Sequence, residues 1–139
     1  MNSYLHHIDL QTVRFSSVEV TARTTWTFAE ISDREGLTEV VEISCGEDTR
    51  LVASLIEEFG VSLEGVAILD ESDVSEILGL GIYILQRHRL IATAVSALRT
   101  IVTSLQCRHL SMNIAQFLGQ KIPQSVPLYA NINRSFSAD

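Results

Sequence analysis

Histidines are the first residues of this sequence whose side chains could act in catalysis or bind a metal. His6 and His7 are adjacent near the N-terminus, and we identify no Cys, Asp or Glu at ligand spacing with them. His88 falls on the apolar stripe of a predicted helix, where a partly buried, hydrogen-bonded histidine is the common case. His109 ends a predicted helix, where a cation suits the helix dipole. We therefore predict that His6 and His7 are a solvated terminal pair without ligand partners, and that His88 has a structural role.

Acidic pairs and cysteines give no clearer catalytic pattern. Glu57–Glu58 and Asp70–Glu71 are adjacent in sequence, so their side chains point apart, and we predict that they are solvated. Cys45 precedes a helix, a position that can activate a thiol, but no base is identifiable beside it. The sequence contains no GxGxxG, P-loop, HExxH or GxSxG motif. Spacing alone predicts no active site and leaves Cys45 and His88 as the best catalytic candidates.

Composition limits the class of protein. The chain has 139 residues, of which 46% are hydrophobic, so we expect one domain with a real core. Its formal net charge of −7 argues against a nucleic-acid partner. Two distant cysteines without CxxC spacing favour a reduced, cytoplasmic protein. The N-terminus lacks a signal-peptide core, and no apolar run approaches the roughly 20 residues of a membrane span.

Three strands are predicted in the first third of the chain, at 12–23, 24–32 and 37–44. They are rich in β-branched residues, and the alternation of the first one slips at Ser16–Ser17, which predicts a bulge. The second and third strands are joined by Asp-Arg-Glu-Gly, with Gly36 where a hairpin turn needs a positive φ. The pattern predicts a three-stranded antiparallel meander.

Four helices are predicted after the strands. The first extends from Asp48 to Gly60, a shorter one begins near Ser72, and the last is capped by Ser111. The long helix between them covers Gly81–Gln106. Its apolar stripe consists of Ile84, His88, Ile91, Val95, Leu98, Val102 and Leu105.

A final strand is predicted within Ser125–Asp139, where apolar and polar residues alternate from Val126 to Asn133. A strand needs a neighbour for its backbone groups, and nothing follows it in this sequence. The element order gives an α+β fold, a three-stranded antiparallel meander followed by a helical bundle on one face. The last strand does not obviously belong to that sheet.

Four segments, taken in order, resemble the N-terminal third of the enolase superfamily, closest to its mandelate racemase/muconate lactonizing enzyme group. They are TTWTFAEISDREGLTEVVEIS, ATAVSALRTIVTSL, NIAQFLG and VPLYA. The resemblance covers Val13 to Arg134. Departures from the family pattern are Glu39–Glu42 in place of Gly-x-Gly-Glu, Arg99 in place of an acid, and Thr103–Ser104 in place of Trp-Asp.

The resemblance implies a division of the chain into two parts. Residues 1–124 would form an α+β capping domain, and residues 125–139 would start a TIM barrel that is otherwise missing, because a barrel takes about 250 residues. In the family the barrel carries the bases and a Mg²⁺ ion that stabilises the enolate of a carboxylate substrate. The resemblance therefore implies a chain that holds no cofactor and is inactive alone.

Full-length relatives are isomerases and lyases that carry out acid-sugar dehydration, racemisation or cycloisomerisation. Their caps contribute specificity loops, which would correspond here to Ala22–Thr25 and Ile43–Arg50. Asn131 and Asn133 would face the barrel mouth and the small carboxylate or acid-sugar substrate.

Two alternatives remain at this stage. The chain could be a free-standing, non-catalytic binding or oligomerisation module, or an enzyme that uses Cys45 or His88. The unpaired final strand further predicts that the chain is a homo-oligomer rather than a monomer.

Overall fold

The protein is represented by a computed structural model that describes residues 6–121 and 125–128. Its described strands form one antiparallel sheet in the order β1-β2-β3. They are β1 (Leu10–Thr21), β2 (Thr24–Asp33) and β3 (Thr38–Glu42). The predicted meander is confirmed.

The bulge predicted at Ser16–Ser17 is wrong. These two residues pair regularly with Phe28 and Thr27, and the register shifts of β1 lie instead between Leu10 and Thr12 and between Glu19 and Thr21. The apolar pattern slips for another reason. Residues after Ser17 place their apolar side chains on the outer face of the sheet, where Val18 and Val20 are exposed.

The hairpin turn between β2 and β3 has the predicted chemistry. Gly36 adopts a φ of 86°, a conformation that glycine tolerates best. Asp33 closes the turn, because its Oδ1 accepts a hydrogen bond of 2.9 Å from the Leu37 N–H. This turn fixes the position of Glu35 beside the end of the sheet.

Five α-helices follow within the described residues, and the first continues past its predicted end. Gly60 lies inside this helix rather than after it. Its lack of a side chain permits the helix to pack closely against β1. A Cβ atom at Gly60 would lie 3.0 Å from Val13 Cγ2 of β1. The helices are α1 (Thr49–Leu63), α2 (Asp73–Ile77), α3 (Ile82–Arg87), α4 (Arg89–His109) and α5 (Ile114–Phe117).

The predicted long helix is divided in two at His88, whose φ of −118° and ψ of 86° are not helical. The α3 part of the predicted stripe is consequently exposed, and so is His88, which contradicts its predicted partial burial. The predicted cap at Ser111 is also wrong. Ser111 has a φ of 52° and lies outside the helix. The residue that caps α5 is Asn113, which forms a reciprocal pair of hydrogen bonds with Gln116.

The core lies between the inner face of the sheet, α1 and α4. The part of the predicted apolar stripe from Val95 onward lies in this core. The buried apolar residues of α4 are Ala94, Val95, Ala97, Leu98, Ile101, Val102 and Leu105. Among the described helices, α4 is the one long and apolar enough to meet the length and composition criteria for a membrane span, criteria that core helices of water-soluble proteins also meet. Half of its apolar stretch is buried by the rest of the protein.

The predicted final strand falls largely outside the described residues. Residues 125–128 are in no strand, and Val126 and Leu128 are exposed. Asn131 and Asn133, together with most of the predicted barrel segment 125–139, lie outside the described residues. The division at residue 124 therefore stays a prediction.

Candidate functional site

Four ionisable side chains meet where β2, the following turn and α4 all end. We call His6, Asp33, Glu35 and His109 the terminal cluster. His109 Nε2 lies 2.5 Å from Asp33 Oδ2, and His109 Nδ1 lies 3.6 Å from Glu35 Oε2. His6 Nε2 lies 2.7 Å from Glu35 Oε1. One imidazole is thus placed between two carboxylates, and a second imidazole contacts one of them.

The fold positions His6 through the chain segment before β1. Ile8 forms an isolated antiparallel bridge with Ile68, with N–H···O distances of 2.8 and 2.9 Å in the two directions. The buried Gln106 on α4 donates to the Leu69 carbonyl at 2.5 Å and to the His6 carbonyl at 3.5 Å. These contacts hold the His6 ring against the end of α4, where it stacks on His109 with ring centroids 4.0 Å apart.

The terminal cluster is closed on one side and open on the other. The side chains of Asp33 and His109 are only 3% and 9% exposed, whereas those of His6 and Glu35 are 33% and 58% exposed. Solvent or a solute therefore reaches the cluster from the side of His6 and Glu35. Such a mixture of imidazoles and carboxylates can bind a metal ion or exchange protons.

No pattern in the sequence predicted this cluster. His6 was predicted to belong to a solvated pair without ligand partners, which is wrong because Glu35 and His109 approach it. The partners lie 29 and 103 positions away along the chain, and no local spacing rule covers such distances. The available signals were weak: Glu35 lies in a predicted hairpin turn and His109 ends a predicted helix.

The other predicted site residues do not come together. Cys45 Sγ accepts a hydrogen bond of 3.0 Å from Arg89, whose other guanidinium nitrogen lies 2.6 Å from Asp48. Hydrogen bonds to Asp48 and Cys45 raise the pKa of Arg89. Neither a carboxylate nor an imidazole hydrogen-bonds to Cys45 in the described part of the chain. The structure thus supplies no base for this thiol there.

The acidic pairs act as separate surface groups. Glu57 and Glu58 are exposed on α1, and Asp70 accepts hydrogen bonds from Ser72. Glu71 forms an ion pair with Arg99 of α4, which raises the pKa of Arg99. These contacts support the prediction that the acidic pairs are not catalytic dyads.

Along the outer face of α4 runs an open groove of about 810 Å³. The Glu71–Arg99 ion pair borders it, as does a second pair in which Arg108 Nη1 lies 3.1 Å from Glu39 Oε1. Cys107 also reaches the groove. The groove floor consists mainly of small residues of α4, among them Ala92, Ser96, Thr100, Thr103 and Ser104.

The two cysteines are expected to react with Ellman's reagent at different rates. Burial, together with the nearby Glu39 carboxylate, raises the pKa of the Cys107 thiol, so little thiolate is available there. Cys45 is half-buried and borders solvent. At mildly alkaline pH we expect Cys45 to react about 10-fold faster, because only an accessible thiolate attacks the reagent.

Serine variants assign the two phases of this reaction. Cys45→Ser should remove the fast phase and Cys107→Ser the slow one, and urea should make both thiols fast. Two equally fast thiols in the folded chain would contradict the described burial of Cys107.

The architecture defines a class of protein by its fold: an α+β domain in which helices cover one face of a three-stranded antiparallel meander. Solved structures share it. A protein assigned as an L-alanine-DL-glutamate epimerase from Burkholderia xenovorans strain LB400 superposes with a TM-score of 0.69 at 18% identity, over 86% of this chain and 30% of that one. The same protein bound to magnesium and fumarate gives a TM-score of 0.67 at 17% identity, over 86% and 29% of the two chains.

A mandelate racemase/muconate lactonizing enzyme from Bordetella bronchiseptica RB50 has a TM-score of 0.65 at 18% identity, over 82% of this chain and 34% of that one. No protein-family model and no curated protein sequence matches the chain. The predicted resemblance to this group of the enolase superfamily is confirmed for the fold, and the chain spans about a third of the length of these relatives.

The residues present do not form a magnesium site of the kind that the resemblance places on the barrel. Mg²⁺ prefers six oxygen ligands. In the described ranges, the group of three potential ligands that come together is His6, Glu35 and His109, of which two offer nitrogen. No catalytic step through magnesium can therefore be assigned to these residues.

Proposed function

We propose that this chain is the capping, substrate-specificity domain of an enolase-superfamily enzyme of the mandelate racemase/muconate lactonizing type. The main observation that supports this proposal is the fold shared with the epimerase, which extends over 86% of the chain. It coincides with the region where the family motifs occur in order. Residues 125–139 would begin the barrel. The substrate would be a small carboxylate or acid sugar, and the enzyme would be cytoplasmic.

The two proposed specificity loops lie at the same end of the sheet. Ala22–Arg23 connects β1 to β2 in a tight turn, and the loop after β3 includes the 3₁₀ turn Gly46–Asp48. The backbone N–H of Ile43 donates to the Thr27 carbonyl at 2.8 Å, which anchors that loop to β2. An open cavity of about 480 Å³ lies between them, lined in part by Glu47 and Arg50.

In this proposal the chemistry belongs to barrel residues and the cap selects the substrate. Magnesium in the complete enzyme would stabilise the enolate. The described residues would contribute shape and charge at the barrel mouth, with Glu47 and Arg50 the charged residues that line the cavity between the two loops. Asn131 and Asn133, outside the described residues, would face the same mouth.

The test compares the 139-residue chain with the native polypeptide from its source organism. Both are incubated in D₂O with Mg²⁺ and panels of dipeptides and acid sugars, and NMR follows exchange of the α-proton. We expect exchange only by a native polypeptide well above 15.4 kDa. In that polypeptide Glu47→Ala should change the ratio of kcat/KM between substrates, whereas Glu57→Ala on the exposed face of α1 should not. A native mass of 15.4 kDa would overturn the proposal.

A second candidate function is a free-standing module that binds a second copy of itself. The outer face of the sheet favours it, because Val18, Trp26 and Val40 are 52%, 46% and 56% exposed there. Light scattering should then show a homo-oligomer of the 139-residue chain. Trp26→Lys should convert it to a monomer. Tyr83→Lys is the control, because Tyr83 is an exposed aromatic residue on α3, and this variant should stay oligomeric. A monomer at all concentrations would exclude it.

A further inference from the structure

We infer that His6, Glu35 and His109 form a binding site for a divalent transition metal of the zinc class, with Asp33 orienting His109. Each of the three residues offers a ligand atom, and these atoms all lie within 4.8 Å of one another. The site is separate from the proposed capping function and uses none of the barrel residues.

The donor set selects the kind of metal. Two imidazoles and one carboxylate are the ligands of many open zinc sites, in which water takes the fourth position. Hard cations such as Mg²⁺ and Ca²⁺ prefer oxygen-only sites and would bind poorly. Exposure fits an open site, because the Glu35 side chain is 58% exposed and a metal-bound water could face solvent there.

Asp33 provides independent support, since it is the outer carboxylate that a metal-binding histidine characteristically has. In such sites the second ring nitrogen of the histidine donates to a carboxylate, which fixes the ring and its tautomer. Here His109 Nε2 lies 2.5 Å from Asp33 Oδ2, leaving Nδ1 directed toward Glu35. Asp33 is itself held by the Leu37 N–H, so the fixed half of the site is already built.

Metal binding requires the ligand atoms to readjust. Zinc binds nitrogen at about 2.0–2.1 Å, so all three ligand atoms must point at one ion, whereas here His6 Nε2 and Glu35 Oε1 contact each other directly at 2.7 Å. The groups that must adjust are His6 and Glu35, which are the exposed members of the cluster and lie on the segment before β1 and in a hairpin turn. His109, whose side chain at the end of α4 is only 9% exposed, provides the fixed point.

The position of the site indicates its role. It lies at the end of the sheet where β2 finishes, whereas the β1–β2 turn lies where β2 begins, about 30 Å away for a strand of 10 residues. The other proposed specificity loop is anchored to β2 at Thr27. A bound metal would join the segment before β1 to the hairpin turn and to α4. We therefore assign it a structural role, in which binding stabilises the folded chain.

The experiment uses the tag-free 139-residue chain carrying Cys45→Ser and Cys107→Ser, so that thiols cannot bind the metal. Titration with Co²⁺ alone is expected to give one ion per chain with the visible absorption of a tetrahedral complex. Zn²⁺ should displace it and raise the midpoint of thermal unfolding. Mg²⁺ should do neither.

Variants identify the ligands. His6→Ala and Glu35→Gln change exposed side chains, so the chain should stay folded by circular dichroism while Co²⁺ binds at least about 10-fold more weakly. His7→Ala is the matched control, because His7 is adjacent in sequence but offers no atom to the cluster, and its affinity should be unchanged. Absence of Co²⁺ binding, or equal affinity in the His6, Glu35 and His7 variants, would overturn the inference. None of these readouts depends on the capping function.

Discussion

Replacing Leu98 by alanine is expected to lower the free energy of unfolding by about 3 kcal/mol. Leu98 is fully buried on α4, in the core that this helix shares with the sheet and α1. Truncation removes apolar contacts and leaves a cavity, because the surrounding Ile and Val side chains cannot all move into the space. The loss is a large share of the stability of a domain of this size.

Urea unfolding, followed by circular dichroism, measures this change. Leu51→Ala is the matched control, since the same residue type on α1 is 56% exposed, and it should cost less than about 1 kcal/mol. Comparable losses in the two variants would contradict the packing of α4 against the sheet. An unchanged slope with denaturant would show that the variants expose the same surface on unfolding as the parent chain, so that a shifted midpoint reports a change in stability.

Periodicity predicted the elements whose burial is one-sided, and Leu98 illustrates this. The stripe from Val95 to Leu105 on α4 and the meander were both predicted, because a helix or strand with one buried face carries that face in its sequence. The prediction failed where apolar residues lie on the exposed face of an element. Val18 and Val20 are apolar but point outward, and this produced the incorrect bulge.

The break at His88 had no sequence signal, for a physical reason. Backbone hydrogen bonds from His88 to Ile84 and from Ala92 to His88 continue across it, and neither Pro nor Gly marks it. Only the dihedral angles of one residue depart from the helix. Gly60 shows the converse, since a residue that commonly ends helices is here required by close packing against β1.

The terminal cluster could not be predicted because the tertiary fold alone brings its members together. The end of α4 meets the β2–β3 turn only when the helix packs along the sheet, and His6 joins them only through the bridge between Ile8 and Ile68. Each contact spans between 29 and 103 positions of sequence. A pattern of residue types at short spacing carries no information about such pairs.

The second large effect is expected at the Asp33–His109 pair. Asp33→Ala should lower the free energy of unfolding by about 3 kcal/mol, because it leaves the His109 ring and the Leu37 N–H without their buried acceptor. His109→Ala should cost somewhat less, about 2 kcal/mol, since Asp33 keeps its hydrogen bond from the Leu37 backbone.

A double-mutant cycle isolates the contact between the two side chains. The double variant should lose about 1–2 kcal/mol less than the sum of the single losses, because the second truncation removes a partner that is already unpaired. Urea unfolding in metal-free buffer with a chelator measures all four proteins, so that metal binding at the cluster does not contribute.

Glu35→Ala provides the matched control within the same cluster. Its carboxylate also lies close to His109, at 3.6 Å, but its side chain is 58% exposed, and an exposed polar contact of this kind contributes at most about 1 kcal/mol. Additive losses for Asp33 and His109 would show that their contact contributes nothing to stability. The fixed half of the proposed metal site would then lack its support, because an Asp33 that does not restrain His109 cannot orient it toward a metal.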